Sequence, residues 1–299
     1  MRINSNEEYY PIGNRNVLKG PYYLVSCKSD GHKFTCVAES DHNVVRISFA
    51  RYVACRITDS SFRDYDMRNR FCEHVIYEIK NSLYLEQINS SYMNQNDYHH
   101  YLVSLDENII DVVSIEPVII CLSKCLDKTG KDISDSKENI LYVEETKPLS
   151  ISSVPYENYD QAVFNGLQER SLPIENFHEG YELFFSNYGA IDLELIIKPI
   201  NRSKKERTIV FPNILCYKEL TIPQKLSGKT IAIDSLQSSF IYEIQDSNFK
   251  EWLAYAGYRQ LYGDPKHLRH ISVQLHNTTY DVLIDSEEER PYCIKDKIK

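Results

Sequence analysis

The chain has 299 residues, of which 42% are apolar and 26% are charged, the composition of a globular protein with one large domain or two ordinary ones. Its formal net charge of −9 disfavours general nucleic-acid binding, because that affinity comes largely from Lys and Arg neutralising phosphates. No apolar run approaches the ~20 residues of a membrane span, and the first residues lack the apolar stretch of a signal peptide. We therefore expect a cytoplasmic protein with no membrane partner.

The first part of the chain is predicted to consist mainly of strands, because its apolar runs are short and are punctuated by turn residues. The predicted strands are 22–25, 33–38, 44–56, 75–79, 101–105 and 109–113. A helix is predicted over 62–73, after the capping signal in TDSSF. Asn81 and Ser82 are predicted to cap a second helix, which places Tyr84, Leu85 and Ile88 on one face.

Two nearly identical phrases stand far apart in the chain. IYEIKNSLYLEQI runs over 76–88, and IYEIQDSNFKEWL runs over 241–253. Three flanking segments also match in the same order, at offsets that grow from about 158 to about 170. This pattern predicts a tandem duplication of one domain, with loops that gained residues after the copies diverged.

The polar stretch 127–159 separates the two copies and is predicted to be a linker, which leaves a first repeat at 1–126 and a second at 160–299. A short amphipathic helix is predicted over 158–172, and the second repeat is predicted to close with strands 271–275 and 279–284. The strands are not arranged in βαβ units. We therefore predict an α+β fold class, with two tandem, structurally similar domains, each an antiparallel sheet packed with helices.

The eight cysteines lie mostly in apolar runs and are interpreted as reduced, buried side chains. Cys121 and Cys125 form a C-x3-C pair, but no second Cys/His pair follows, and a structural zinc site needs four ligands. The basic stretch NRSKKER at 201–207 lies between two apolar runs and is interpreted as a solvated hairpin tip. The sequence therefore predicts no metal and no cofactor.

One enzymatic interpretation starts from Glu78 and Lys80. They form the E-x-K half of a metal-dependent nuclease core, in which carboxylates hold Mg²⁺ and the Lys positions water, and Asp64 or Asp66 would be the upstream acid. The copy has Gln245 in place of the Lys, and E-x-K is a common tripeptide. The motif alone does not distinguish a nuclease from an ordinary strand.

His100 and His270 recur at the start of equivalent predicted strands, so a base or metal-ligand role is one interpretation and a packed, hydrogen-bonded ring is the other. Asp111 and Asp281 recur between apolar residues and are predicted to face solvent or to cap a loop. No phosphate-binding glycine loop, nucleophile elbow or HExxH motif is present.

The order of features in the first repeat resembles bacterial immunity-type proteins found near polymorphic toxins and mobile elements. The residues that carry the resemblance are Glu78, Ser82, Tyr84, His100, Tyr101 and 111–114. The second repeat departs from this pattern, since Ile271 replaces the Tyr and Ile284 replaces the Ser. The resemblance covers about 70 residues of each repeat and implies an α+β domain that works by binding.

The sequence favours a non-enzymatic, protein-binding module of a bacterial or phage conflict system, acting as an immunity protein, in anti-phage defence or as an inhibitor of that defence. Its 23 tyrosines suit contact surfaces, and its acidic balance suits a basic partner such as a toxin or defence nuclease. Two alternatives stay open: a sensor that binds a small molecule or nucleotide in an inter-domain cleft, and the metal-dependent nuclease. A homo-oligomer is also compatible with the sequence.

Overall fold

A computed structural model gives the fold of most of the chain. The residues it describes are 8–12, 18, 21–41, 43–60, 74–82, 84–85, 98–124, 139–140, 170–177, 180–189, 191–201, 205–221, 240–254, 258–262, 267–287 and 290–296. The predicted helix over 62–73, Asp64, Asp66, Cys125 and most of the predicted linker lie outside these residues.

The described residues form two antiparallel sheets. Sheet A contains, in spatial order, β1 (Glu8–Pro11), β6 (Ile76–Lys80), β7 (His99–Ser104), β8 (Asn108–Ser114), β5 (Tyr52–Asp59), β15 (Ile214–Thr221), β18 (Thr278–Asp285), β17 (Leu268–Gln274), β16 (Phe240–Gln245) and β11 (Arg170–Asn176). Sheet B contains β10 (Asn139–Ile140), β9 (Ile119–Lys124), β4 (Asn43–Ala50), β3 (Lys33–Glu39), β2 (Tyr23–Ser29), β12 (Tyr181–Gly189), β13 (Asp192–Pro199), β14 (Arg207–Phe211) and β19 (Cys293–Asp296).

The predicted α+β class is wrong, because strands account for 67% of the described residues and helices for 8%. Two short helices lie within the described residues, α1 (Asn248–Leu253) and α2 (Arg259–Tyr262). The two sheets pack face to face, and aromatic contacts such as Phe34 with Tyr52 and Phe49 with Tyr101 cross between them. Each sheet therefore buries its inner face against the other sheet rather than against helices.

The strands of the two halves occupy equivalent places. Sheet A runs β1-β6-β7-β8-β5 up to its centre and then β15-β18-β17-β16-β11, which is the same order of equivalent strands reversed. Sheet B runs β9-β4-β3-β2 and then β12-β13-β14-β19 in the same way. A pseudo-two-fold axis therefore passes between β5 and β15 in one sheet and between β2 and β12 in the other.

The halves share their sheets and their core. β5 pairs with β15, and β2 pairs with β12, so each sheet continues through the junction. One cluster of buried side chains contains Phe34 and Ile47 from the first half together with Leu195 and Val282 from the second. The prediction that each half packs its own antiparallel sheet against helices is therefore also wrong, because the two halves share both sheets and pack them against each other. The boundaries at 126 and 160 stay predictions.

The predicted strand 44–56 is two strands, β4 and β5, and a sharp turn at Arg51 joins them. Arg51 has a φ of 50°, and Asn213, between β14 and β15, has a φ of 52°. A non-glycine residue in the left-handed region reverses the chain within one residue. The β-branched composition of the stretch concealed this turn, because neither glycine nor proline marks it.

Other local predictions have mixed outcomes. Phe249, Trp252 and Leu253 are buried on one face of α1, as predicted. The predicted helix over 158–172 is wrong at its end, because Arg170 begins β11, and the rest of it lies outside the described residues. The stretch 201–207 connects β13 to β14 as predicted, with Asn201 and Lys205 exposed.

We expect residues 1–150 and 151–299, produced together as two separate chains, to copurify as a 1:1 complex. The reason is that each half leaves an inner sheet edge and part of the shared core to be completed by the other. The measurement is gel filtration of a fragment pair that carries an affinity tag on one chain only. Two fragments that purify as independent, folded monomers would contradict the shared core.

Candidate functional site

The residues that recur in both halves meet on the outer face of sheet A, the face directed away from the sandwich core. Cross-strand pairing places Arg56 opposite Asp111 and Lys218 opposite Asp281. Arg56 and Lys218 are themselves partners across the β5–β15 junction. Four charged side chains therefore form one row across four neighbouring strands, which we call the junction row: Asp111, Arg56, Lys218 and Asp281.

The junction row consists of two ion pairs placed back to back. The Arg56 guanidinium contacts Asp111 Oδ2 through Nε at 3.0 Å and through Nη2 at 2.9 Å, and both side chains are buried. Lys218 Nζ lies 3.1 Å from Asp281 Oδ2. Like charges on directly opposed residues destabilise a sheet, so the flanking carboxylates are what allow two cations to lie side by side at the pseudo-two-fold axis.

A histidine and a serine extend each ion pair. His100 Nε2 lies 3.2 Å from Asp111 Oδ1, and its Nδ1 lies 2.6 Å from Ser82 Oγ. In the second half His270 Nε2 lies 3.2 Å from Asp281 Oδ1, and its Nδ1 lies 2.7 Å from Ser247 Oγ. The residues repeated in the sequence are thus the members of two equivalent rows, in each of which a histidine lies between an aspartate and a serine.

Each chain ends at a helix start. The Ser247 hydroxyl accepts a hydrogen bond from the backbone N–H of Lys250 at 3.1 Å, which makes Ser247 the N-cap of α1. Ser82 accepts in the same way from the N–H of Leu85 at 3.0 Å. Asn81 and Asp246, with φ of 55° and 50°, turn the chain from strand to cap, so the predicted capping role is confirmed.

Aromatic rings cover the junction row. The guanidinium carbon of Arg56 lies 4.4 Å from the ring centroid of Tyr84 and 4.3 Å from that of Trp252, so rings from both halves contact one cation. Lys218 Nζ lies 5.3 Å from the Phe249 ring centroid. Cation–π contacts in a desolvated site add to the ion pairs and fix α1 over the junction.

The surroundings of Asp281 favour its ionised form, paired with a cation. Burial acts to raise the pKa of the Asp281 carboxyl, but the Lys218 ammonium and the hydrogen bond from His270 outweigh it and hold that pKa well below its usual value. Asp111 is 1% exposed, so the prediction that these aspartates face solvent is wrong for it. Strand alternation does place them outward, but the outer face of sheet A is covered at this point.

Ser82, His100 and Asp111 are the residue types of a hydrolase triad, but their geometry is closed. The Ser82 hydroxyl is hydrogen-bonded to His100 Nδ1, accepts from a helix N–H and is 4% exposed, so a substrate carbonyl has no open approach to its Oγ. The arrangement favours positioning of the helix over catalysis. A catalytic role for His100 and His270 stays a prediction.

Glu78 and Lys80 lie together on β6, away from the junction row. Lys80 Nζ lies 2.5 Å from Glu78 Oε1, and His99 Nδ1 lies 2.8 Å from the same oxygen. Burial acts to raise the pKa of the Glu78 carboxyl, yet these two partners leave it lowered. Glu78 is therefore engaged with protein cations, and the nuclease interpretation of this pair stays a prediction.

The core contains a buried carboxylate that the sequence reasoning missed. Glu219, on β15, is 0% exposed and accepts hydrogen bonds from Tyr52 Oη at 2.5 Å and Ser29 Oγ at 3.1 Å. Cys55 Sγ lies 3.7 Å from its other oxygen. Burial raises the pKa of the Glu219 carboxyl to about 7, although the hydrogen bond from Tyr52 opposes the rise. The sequence did contain a signal for this burial. In the β-prone run 214–221, alternation places Glu219 on the same side as Tyr217, which is the side that faces the core.

Metal and cleft sites find no support in the part of the chain that the structure describes. No group of three or more His, Cys, Asp or Glu side chains there could hold a metal ion. Cys121 is partly exposed, and the described junction between the halves is built from paired strands and buried side chains. No described helix has the length and apolar character needed to cross a bilayer.

Comparison with protein families, curated proteins and solved structures finds no match to this chain.

We expect Arg56→Met to lower the free energy of unfolding by about 3–5 kcal/mol, because it leaves the buried Asp111 carboxylate without its cation. Arg56→Met combined with Asp111→Leu should cost less than the sum of the two single changes, since neither charge then stays unpaired. Urea denaturation measures both. The control is Arg51→Met, which removes an exposed pair with Glu116 at 3.7 Å. An Arg56→Met cost no larger than that control would contradict the role of the junction row.

We expect stability to depend on pH through Glu219. Its pKa in the folded protein, about 7, lies above the value of 4.5 in the unfolded chain, so its stabilisation is complete below pH 4.5 and is lost as pH rises through 7. The shift corresponds to a loss of about 3 kcal/mol. Glu219→Gln should remove this component.

The measurement is the difference in unfolding free energy between wild type and Glu219→Gln, from urea titrations between pH 5 and pH 8. The other carboxylates contribute equally to the pH dependence of both proteins, so their contributions cancel in this difference. A difference that does not change with pH would show that Glu219 does not titrate in this window.

Proposed function

We propose that this protein is a non-enzymatic binding protein that docks on a basic partner protein through a projecting pair of apolar side chains on α2. The observation that carries the proposal is the exposure of Leu261 and Tyr262, which are 55% and 65% exposed. We call this pair the α2 knob. Aromatic and large aliphatic side chains of this kind are the usual anchors of protein interfaces.

The base of the α2 knob is held rigidly. Tyr262 contacts the ring of Tyr258 at a centroid distance of 5.1 Å, and Tyr258 is buried against the cluster that contains Trp252 and Leu268. The Tyr258 hydroxyl also donates a hydrogen bond to Asp285. An anchor that is ordered before binding loses less conformational entropy on docking, which favours affinity.

Acidic side chains surround the α2 knob. Glu251 lies 3.7 Å from Arg259, Asp285 contacts Tyr258, and Glu287 lies 3.3 Å from His267. Among the described residues near the α2 knob, these three carboxylates outnumber the Arg259 guanidinium, which gives them the same sign as the whole chain, whose net charge is −9. Such a rim would steer a basic protein and would repel an acidic one.

The interior supports binding rather than catalysis. The Ser–His–Asp chains of both halves are covered by rings and are engaged at helix starts, and Glu219 lies within the sandwich core. The described residues that carry reactive groups at these places are therefore held away from solvent. The Ser, His and Asp residues that occur in both halves serve to position a helix start, which in the second half is that of α1. The next helix in the chain after α1 is α2.

The narrower form of the proposal is a cytoplasmic protein of a bacterial or phage conflict system. Its support is the resemblance of the first repeat to immunity-type proteins and the acidic rim, which suits a basic toxin or defence nuclease. In that role the protein would act by covering a basic surface of its partner.

We expect the double variant Leu261→Asp/Tyr262→Ser to lose at least about tenfold in affinity for the partner, because it removes both anchors of the contact. The measurement is affinity capture from cells of the native source, followed by titration of the captured protein against wild type and variant. Ile200→Asp is the matched control, since Ile200 is 48% exposed and lies directly after β13 rather than on α2.

The control variant should bind as wild type does. Capture of no protein by wild type, or equal affinity of all three proteins for the captured one, would contradict the α2 knob as the docking surface.

A further inference from the structure

The outer face of sheet B carries a matched pair of irregularities. β2 has a register shift between Leu24 and Ser26, and β12 has one between Leu183 and Phe185. The residues inserted at these bulges are Val25 and Phe184, which occupy equivalent positions in the two halves. A bulge re-aims a side chain, and a bulge kept in both copies is a feature rather than a defect.

Both bulge residues are large, apolar and exposed. Val25 is 44% exposed and Phe184 is 50% exposed, and Tyr23, two residues before Val25, is 45% exposed. Val37 and Ile196, on the next strands outward, are partly exposed on the same face. The centre of this face therefore presents apolar side chains from both halves around the pseudo-two-fold axis, on the side of the sandwich opposite the junction row.

Charges divide this face into two halves of opposite sign. On the strands of the first half, the outward charged residues are Lys28, Lys33, Arg46 and Glu39, and the turns between these strands add the exposed Asp30 and Asp41. Those of the second half are Glu182, Asp192, Glu194, Lys198 and Lys295, and Lys198 lies 3.5 Å from Glu206 and over the Phe184 ring. Along the strands themselves, the first half is therefore net positive, and the central strands of the second half are net negative.

A face of this kind is complementary to itself. Two copies related by a two-fold axis that lies between the faces, parallel to the central strands, place the positive half of each copy over the negative half of the other. This is the isologous contact of a cyclic dimer. Sheets stack face to face at about 10 Å, which is the spacing at which apolar side chains from both faces interdigitate.

The available area is sufficient for a stable contact. The nine strands of sheet B, spaced by about 4.8 Å and averaging about six residues of about 3.3 Å each, give a face of about 900 Å². A standard specific interface uses about 800 Å² on each partner. A tail or a peptide would cover only part of this face, whereas an equal sheet face covers all of it.

We propose that the outer face of sheet B is a homodimer interface, in which a second copy of this chain docks face to face with its charges crossed. The interface lies on the other sheet from the α2 knob, so it leaves that surface free for a different partner. The inference does not depend on the proposed function, and each can fail without the other.

A charge-swap experiment tests the dimer. One variant carries Lys28→Glu and Lys33→Glu, which makes the outward strand charges of both halves net negative. The other carries Glu182→Lys and Glu194→Lys, which makes them net positive in both halves. Sedimentation equilibrium is measured for wild type, for each variant alone and for an equal mixture, at about 100 µM, well above the micromolar Kd at the weak end of standard-size interfaces. Thermal unfolding of each variant verifies that it is folded.

We expect wild type to be a dimer, each variant alone to be a monomer, and the mixture to form a heterodimer. The wild-type dimer should also weaken as salt is raised from low to high concentration, because its crossed charges are screened. A monomeric wild type, variants that still form dimers, or a mixture that stays monomeric would each overturn the proposal.

A second measurement separates the apolar contribution from the charges. Val25→Ser with Phe184→Ser should dissociate the dimer at low salt, where the charge pattern is intact, because the apolar centre supplies the affinity and the charges supply orientation. A double-serine variant that forms dimers as tightly as wild type would show that the matched bulges do not contribute, and would overturn their part in the interface.

Discussion

The structure depends on how two basic side chains are accommodated side by side. Arg56 and Lys218 are cross-strand partners at the centre of sheet A, where the two halves join. Left alone, their repulsion would oppose the pairing of β5 with β15. Asp111 and Asp281 neutralise them from the next strands outward, and rings from both halves cover Arg56. The junction is therefore held by an arrangement that neither half can complete by itself.

The same arrangement connects the sheet to its helices. Each histidine lies with its Nε2 3.2 Å from an aspartate oxygen, and its Nδ1 is hydrogen-bonded to the serine at a helix start. In this way one row of charges fixes the position of α1. Trp252 on α1, which belongs to the second half, in turn contacts the Arg56 guanidinium of the first half. Neutral apolar residues could have filled the same space with similar stability, but they would not have specified one register and one helix position. The duplicated polar residues thus serve specificity of assembly.

The two outer faces have different consequences for binding. On sheet A the polar residues are enclosed, and the accessible groups near α2 are Leu261 and Tyr262 with carboxylates around them. On sheet B the equivalent bulges expose Val25 and Phe184 between fields of opposite charge. The duplication accounts for the pattern on sheet B, because both halves kept the same bulge while the charged residues around it came to differ between the halves. The proposed dimer face and the proposed docking site therefore lie on opposite sides of the sandwich.

The sequence alone determined the strands of the hairpins, the repeat and its order, the caps at Ser82 and Ser247, and the buried face of α1, because these depend on residues close together in the chain. It could not determine that the halves share two sheets, that Arg51 splits one β-prone run, or that Arg56 meets Trp252. Alternation in a strand shows which residues share a face, but not what covers that face, so the α+β prediction placed helices where a second sheet lies. Asp111 and Glu219 are buried for the same reason, since only the packing of distant segments decides which polar side chains lose contact with water.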